Sequence, residues 1–485
     1  MTDGAISLPG PADNGARSPL SAGLRIMLFA AGPGGRPRGW QRFFLAIYLC
    51  ACLVSVLLGN IGFALCYAVL SLFFMLNSTD LDILAPMSMV TQAFGIYFLL
   101  PLALIDDRDP ATLTYIACTL IATLALYLLM PRLNFGIGRR LGKSLVFRKS
   151  FLRTTVVMQI AGGVGFLIST WLAGFSNPFM VFADPIQYRF FMMVGGMTYF
   201  TELLGFLITM PAIVITVAYY MKETSRAVFV TVVAVAALYG LATGARGSVI
   251  LLVIQIFLIR HILYKRIGAR LVILLVCIVV PFIAISGQYR QLKSTSANGS
   301  LQAVLSHLTF QDAVNAAFSR MDAADMFNEF MVAERYHDPK LGMSYIEIVA
   351  EAIPRSFWKD KPRLPNPEMT RIIGRNDPYL DIAFDFGIFG ETFLNFSWFG
   401  IIVGGVIVAI IGGLMQCIYD YAVSERSPVV ILWVAVLCTV PLALVVSGLV
   451  EVLITAGLSI LQVLVVRKLF FHRSLSPFPE TSPTL

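Results

Sequence analysis

A proline-rich stretch late in the chain, Glu351–Pro367, carries the clearest chemical signal in the sequence. It reads EAIPRSFWKDKPRLPNP. Four cations fall within nine residues, namely Arg355, Lys359, Lys361 and Arg363. Because proline rings restrict the backbone, the four prolines here should present these cations from a stiffened loop. Cations grouped in this way favour a phosphate or pyrophosphate partner, and attraction to anionic lipid headgroups is the alternative.

Three further arginines are candidates for binding an anion. Arg246 stands in LATGARGSV at the predicted outer end of a membrane helix, where an unpaired arginine is costly and should hold a partner. Arg290 lies just past another predicted span. Arg320 has only alanine at the i±3 and i±4 positions of its predicted helix, Phe310–Tyr336, so no acid on that helix can pair with it. A salt bridge to another part of the same loop is the alternative for Arg320.

Several acids and one histidine accompany these cations. Asp322 and Asp325 lie on one face of the predicted helix, and His337 follows it in a His-Asp-Pro sequence that should end the helix. Glu391 closes a segment rich in glycine and aromatic residues, 381–391, which we expect to re-enter the membrane interface. A carboxylate at that depth costs free energy unless it is paired or functional.

Metal chemistry has little support in the sequence. Asp80-Leu81-Asp82 matches the DxD pattern of metal-dependent glycosyltransferases, but a lone DxD on the predicted inner side is more simply a solvated turn. The acidic segment 106–109 resembles an ordinary loop. All seven cysteines fall inside apolar runs with no zinc or disulfide spacing. We therefore expect a protein without a metal or other cofactor.

The elements that position these residues are membrane helices. Hydrophobic residues make up 58% of the chain and charged residues 13%, and the mean hydropathy is +0.79, whereas soluble domains carry about 25% charged residues. About twelve apolar runs are long enough to span a bilayer. The predicted spans are 43–58, 61–76, 84–105, 111–130, 154–175, 193–221, 227–243, 248–263, 271–286, 396–418, 429–447 and 449–466.

Lysine and arginine set the expected orientation, with both termini cytoplasmic. The loop at 132–153 holds seven cations, whereas the short outer loops hold only Arg108, Arg189 and Arg246. The chain then divides into a disordered tail, two blocks of helices around one outer loop, and a second tail. These parts are 1–42, 43–286 (spans one to nine), 287–395 (the loop), 396–466 (spans ten to twelve) and 467–485. The loop has 11 Lys+Arg and 14 Asp+Glu, and long loops translocate regardless of charge.

Absent patterns narrow the function. The chain has no GxxxxGK[ST] for an ATP-driven pump and no HExxH for a common zinc protease. A secondary transporter should place ionisable residues near the midplane of repeated halves, whereas here they gather at the outer face and in one unrepeated loop. This distribution favours an enzyme that acts at the outer leaflet on an amphiphilic anion.

In layout the chain resembles the O-antigen polymerase (Wzy-type) family of oligosaccharide repeat-unit polymerases over roughly residues 40–470. The resemblance is carried by GAR at an outer helix end, by IPRSFWKDKP at Ile353–Pro362, and by GIFGETFLNFSWFG at Gly387–Gly400. O-antigen ligases share this layout, so a ligase that passes the glycan to another lipid is an alternative. A non-enzymatic flippase or exporter of lipid-linked oligosaccharides is the other alternative.

The resemblance implies an all-α polytopic protein with a GT-C-like glycosyltransferase architecture in the bacterial inner membrane. It implies glycosyl transfer between undecaprenyl-diphosphate-linked oligosaccharides at the periplasmic face, for an O-antigen or an exopolysaccharide, without a metal and with a flippase and a chain-length regulator as partners. Arg246, Arg290, Arg320, Arg355, Lys359 and Lys361 would then bind the diphosphate. A base for the acceptor hydroxyl would come from Glu391, His337, Asp322 or Asp325, with Glu391 and His337 favoured.

Overall fold

The fold is that of a computed structural model of the protein. The described residues are 39–76, 84–104, 108–129, 145–177, 181, 188, 198–243, 246–265, 267, 323–334, 338–351, 358, 364–375 and 384–473. Within these residues the protein is an all-α membrane protein with one small pair of strands.

Seventeen α-helices occur in the described residues, and we number them in chain order. The first nine are α1 (Gly39–Leu57), α2 (Ile61–Leu76), α3 (Pro86–Phe94), α4 (Leu100–Leu104), α5 (Pro110–Leu129), α6 (Phe151–Leu172), α7 (Thr198–Tyr220), α8 (Arg226–Ala242) and α9 (Arg246–Leu263). The other eight are α10 (Ala323–Ala333), α11 (Met343–Glu351), α12 (Pro365–Ile372), α13 (Gly387–Phe396), α14 (Gly400–Glu425), α15 (Pro428–Leu437), α16 (Val440–Val446) and α17 (Leu449–Phe470). A short 3₁₀ turn, Ser397–Phe399, lies between α13 and α14.

A π-helical turn, Gly95–Leu99, joins α3 to α4. Seven stretches in the described residues are long and apolar enough to cross a membrane, and four shorter apolar helices accompany them. These eleven coincide with predicted spans. The remaining predicted span, 271–286, lies outside the described residues, so the total of twelve stays a prediction.

The structure divides one predicted span and moves the start of another. The predicted span 429–447 is divided into α15 and α16, because Pro441 has no N–H for a helical bond and its ring clashes with the carbonyl four residues earlier, that of Leu437. The segment leading into the predicted span 396–418 is also a separate helix, α13, which ends at Ser397 with a φ of 51°. These interruptions leave helix ends, and hence backbone polar groups, inside the protein.

Small residues allow the central helices to approach closely. Gly400, Gly404 and Gly405 of α14 face α5, where a side chain at Gly400 would overlap the Tyr115 hydroxyl. Close backbone contact of this kind is how membrane helices associate, because lipid supplies no hydrophobic drive. Helix α15 is buried along its length within this bundle.

Helices α10, α11 and α12, which come from the predicted outer loop, pack on one end of the bundle. Phe327 and Phe330 of α10 are fully buried and meet Phe389 and Phe393 of α13 in tilted or edge-on ring contacts. Ring pairs in these geometries add to the stabilisation from burial alone. The loop helices are therefore joined to α13, the helix that carries Glu391.

The two strands lie at the end of α17. β1 (Leu145–Phe147) pairs antiparallel with β2 (Phe471–Arg473), with Val146 opposite His472. The pairing brings residues 145–150, which end the predicted basic loop, and the strand after the last helix to the same end of the bundle. Both segments were predicted to lie on the cytoplasmic side of the membrane.

Candidate functional site at the Glu391 junction

Glu391 and Asp325 are the candidate site residues whose side chains the structure describes. Arg246 begins α9, but its side chain is outside the described part. The other candidates all lie outside the described residues: His337, Asp322, Arg290, Arg320, Arg355, Lys359 and Lys361. Their grouping with Glu391 therefore stays a prediction.

Glu391 is enclosed where α13 meets the start of α17. Its side chain is 1% exposed, and both carboxylate oxygens lie 3.3 Å from the backbone nitrogen of Val450, which donates to them. The first N–H groups of a helix have no partner within that helix, and the helix dipole favours a negative charge at this end. Glu391 thus caps α17 from a distant part of the chain.

Gly448 makes this enclosure possible. Its φ of 93° is in the region that favours glycine. A Cβ atom placed on it would overlap the Glu391 carboxylate. The Ser447–Gly448 turn, which the sequence indicates only as the short connection between the predicted spans 429–447 and 449–466, therefore packs directly against the Glu391 carboxylate.

Helix α11 is fastened to the other end of α13. The amides of Lys340 and Leu341 donate to the carbonyls of Leu394 and Asn395, at 3.1 and 2.7 Å, and so satisfy the last turn of α13. The Asn395 amide nitrogen donates to Ser344 Oγ at 2.6 Å and to the Glu391 carbonyl at 2.9 Å. The loop helix and the Glu391 backbone consequently form one polar unit.

Two polar atoms beside this unit have no hydrogen-bond partner among the described residues. The Tyr345 hydroxyl is buried, and burial first and then the charge of Glu391 raise the pKa of Tyr345. Asn366 donates to the Ser447 carbonyl at 3.1 Å, yet its Oδ1 is buried without a donor in the described part of the chain. Buried polar groups normally have a partner, so this junction has hydrogen-bonding capacity that the described residues do not use.

Charged residues of the loop helices and of the segment before α11 lie next to this junction. Lys340 Nζ lies 3.6 Å from Glu368 Oε1, and Arg371 Nη2 lies 3.0 Å from the same oxygen. Burial alone would raise the pKa of Glu368, but the hydrogen bonds and charges of Arg371 and Lys340 outweigh it and lower that pKa. At Glu347 burial prevails over the Lys340 charge, and the pKa is raised.

Glu391 was a candidate from the sequence, whereas the polar residues beside it were not. Tyr345, Asn366 and Asn395 were not among the candidate site residues, although Asn366 lies between two prolines at the end of the basic stretch Glu351–Pro367. Asp325, in the first turn of α10, is partly exposed. The predicted helix Phe310–Tyr336 is described only as α10, and within the described residues no group of three or more His, Cys, Asp or Glu side chains suits a metal ion.

Comparison with known proteins adds one match. Residues 177–376 are similar to a domain of unknown function (DUF8712). The matched range includes α7–α9 and α10–α12 and ends before Glu391. No curated protein and no solved structure matches the chain.

Proposed function

We propose that this protein is a membrane glycosyltransferase that polymerises polyprenyl-diphosphate-linked oligosaccharide units at the outer face of the membrane. The observation that carries the proposal is the Glu391 junction, where an enclosed carboxylate, a buried tyrosine hydroxyl and a buried amide oxygen all lie between the bundle and the loop helices. The basic stretch Glu351–Pro367 connects α11 to α12, which form two sides of that junction. The resemblance to repeat-unit polymerases supports the same reading.

The proposed reaction exchanges one bond at the anomeric carbon for another. The bond from the growing glycan to its lipid diphosphate breaks, and the electron pair leaves with the diphosphate. A sugar hydroxyl on the next lipid-linked unit forms the new glycosidic bond and gives up its proton to a base. Arg355 and its neighbouring lysines, with Arg246, would stabilise the charge that develops on the departing diphosphate.

Glu391 is the proposed base, with the Tyr345 hydroxyl and the Asn366 carbonyl oxygen as hydrogen-bonding groups for the acceptor sugar. Tyrosine can donate and accept, and an amide oxygen accepts from a sugar hydroxyl. The carboxylate is closed off by Gly448 in this conformation, so catalysis requires the 447–448 turn to open toward the loop helices. Such opening would also admit the sugar to Tyr345 and Asn366.

The first test uses cells that depend on this protein for polymer. Arg246→Ala and Arg355→Ala should each abolish long polymer while the protein stays in the membrane at its usual level. Arg371→Ala is the matched control, because Arg371 already pairs with Glu368 and is 55% exposed; polymer should persist. Long polymer retained in both Arg246→Ala and Arg355→Ala would contradict the proposal.

Deletion of the protein separates the proposal from its alternatives. Loss of a polymerase should leave single repeat units on the outer side, transferred as single units. Loss of a flippase or exporter should instead trap lipid-linked units on the cytoplasmic leaflet. Loss of a ligase should leave long glycans that are still attached to the polyprenyl lipid. Either of the last two results would replace the proposed reaction.

A further inference from the structure

The pairing of β1 with β2 holds two basic segments together at one end of the bundle. The backbone amide of Arg148 donates to the Phe470 carbonyl at 2.8 Å, and its Nε donates to the Phe471 carbonyl at 2.9 Å. Helix α6, which starts just after Arg148, also contacts α17. The first turn of α6 and the last turn of α17 are therefore neighbours.

Five cations whose side chains the structure describes collect in this region. They are Arg148, Lys149 and Arg153 before and in the first turn of α6, and Arg467 and Lys468 in the last turn of α17. No Asp or Glu occurs in the sequence between 110 and 183 or between 452 and 479. Neither connected segment can therefore supply a carboxylate to balance these charges.

Helix dipoles explain only part of this arrangement. A cation in the last turn of a helix is favoured, which accounts for Arg467 and Lys468, but Arg153 in the first turn of α6 is at the disfavoured end. That turn contains no acid. Like charges brought together by hydrogen-bonded strands repel one another, so the arrangement calls for anions from outside the chain.

The surface next to the cations is apolar. Val156 and Val157, one turn into α6, are 52% and 57% exposed, and Leu469 of α17 is 40% exposed. In a membrane helix such residues face acyl chains. A ligand that has a negative headgroup above two apolar chains matches both parts of this surface.

We propose that Arg148, Lys149, Arg153, Arg467 and Lys468 form a binding site for the headgroup of an anionic phospholipid, whose chains lie along α6 and α17. This site is at the β1–β2 end of the bundle and is independent of the proposed glycosyl transfer. Bound lipid would join α6 to α17 and stabilise the strand pair. Each cation near an anionic membrane surface contributes about fivefold in affinity.

The test measures thermal unfolding of the full chain in phosphatidylcholine nanodiscs that contain increasing phosphatidylglycerol. The wild type should gain stability as phosphatidylglycerol is added, and added salt should reduce the gain. The variant Lys149→Gln/Arg153→Gln/Lys468→Gln should need at least tenfold more phosphatidylglycerol for the same gain. The control Lys222→Gln/Arg226→Gln changes exposed cations that lie beside Glu223, and it should respond as the wild type does.

Three results would overturn the proposal. The first is an equal response to phosphatidylglycerol in the triple variant and the wild type. The second is equal stabilisation by inorganic phosphate, which would indicate a soluble anion rather than a lipid. The third is a wild-type response to phosphatidylglycerol in both single variants, Lys149→Gln and Lys468→Gln. These variants replace the triple variant if it does not fold.

Discussion

Replacing Glu391 by glutamine separates a chemical role of this side chain from its structural one. Glutamine keeps a side-chain oxygen that can accept from the Val450 amide, but it has no carboxylate to take a proton. Alanine removes both. Because the Val450 nitrogen lies 3.3 Å from each carboxylate oxygen and the site is enclosed, alanine leaves a buried N–H without an acceptor. That loss should cost about 1–3 kcal/mol of unfolding free energy.

The expected rates differ more strongly than the stabilities. A general base contributes about 10²–10⁴-fold to rate, so Glu391→Gln should lower the polymerisation rate by about this factor. Its unfolding free energy should stay within about 1 kcal/mol of the wild type, since one neutral hydrogen bond is retained. Initial rates come from reconstituted protein with lipid-linked oligosaccharide, and stability comes from thermal unfolding in the same detergent.

Glu451→Gln provides the matched control for Glu391→Gln. Glu451 is on the first turn of α17, close to Glu391, but its side chain is exposed. This variant should keep both rate and stability. A Glu391→Gln protein that polymerises at the wild-type rate would refute the base, and the carboxylate would then serve only to join α13 to α17.

Three further predictions concern the walls of the junction. Gly448→Ala should cost about 1–3 kcal/mol in unfolding free energy because of its backbone conformation. Gly457→Ala within α17, where a Cβ meets nothing, should not destabilise, and equal effects of the two variants in thermal unfolding would contradict this. Asn395→Ala should leave Ser344 Oγ without its partner and destabilise by about 1–3 kcal/mol, and Ser344→Ala added to it should cost little more; additive losses would contradict the coupling. The lowered pKa of Glu368 means that its contribution to stability is present above its unfolded pKa and is lost as the pH falls through its folded pKa. Thermal unfolding measured at pH 6 and below, in steps of about one pH unit, should show that Glu368→Gln removes this loss of stability in acid. A pH dependence of stability equal to that of the wild type would contradict the lowered pKa of Glu368.

The membrane helices were predictable because a bilayer requires long apolar segments, and the sequence has them in the places where the structure has helices. The tight turns at Gly59 and at Gly448 were also predictable, since glycine permits the positive φ that both adopt. Even the interruption at Pro441 follows from a local rule that could have been applied to the sequence.

The enclosure of Glu391 was not predictable from the sequence. Its partner, Val450, is 59 residues away, and no periodic pattern links a side chain on one helix to the amide of another. The pairing of β1 with β2 is more remote still, because Val146 meets His472 through strands of three residues. Such contacts depend on how the helices pack, and single-sequence patterns describe only the helices themselves.

The most direct test of the central claim uses purified protein in proteoliposomes that contain one polyprenyl-diphosphate-linked oligosaccharide as the only substrate. The account predicts a ladder of products that differ by one repeat unit, each still bound to a polyprenyl diphosphate, with one free lipid diphosphate released for every bond formed. Single units that remain unjoined, or that only change leaflet, would contradict it.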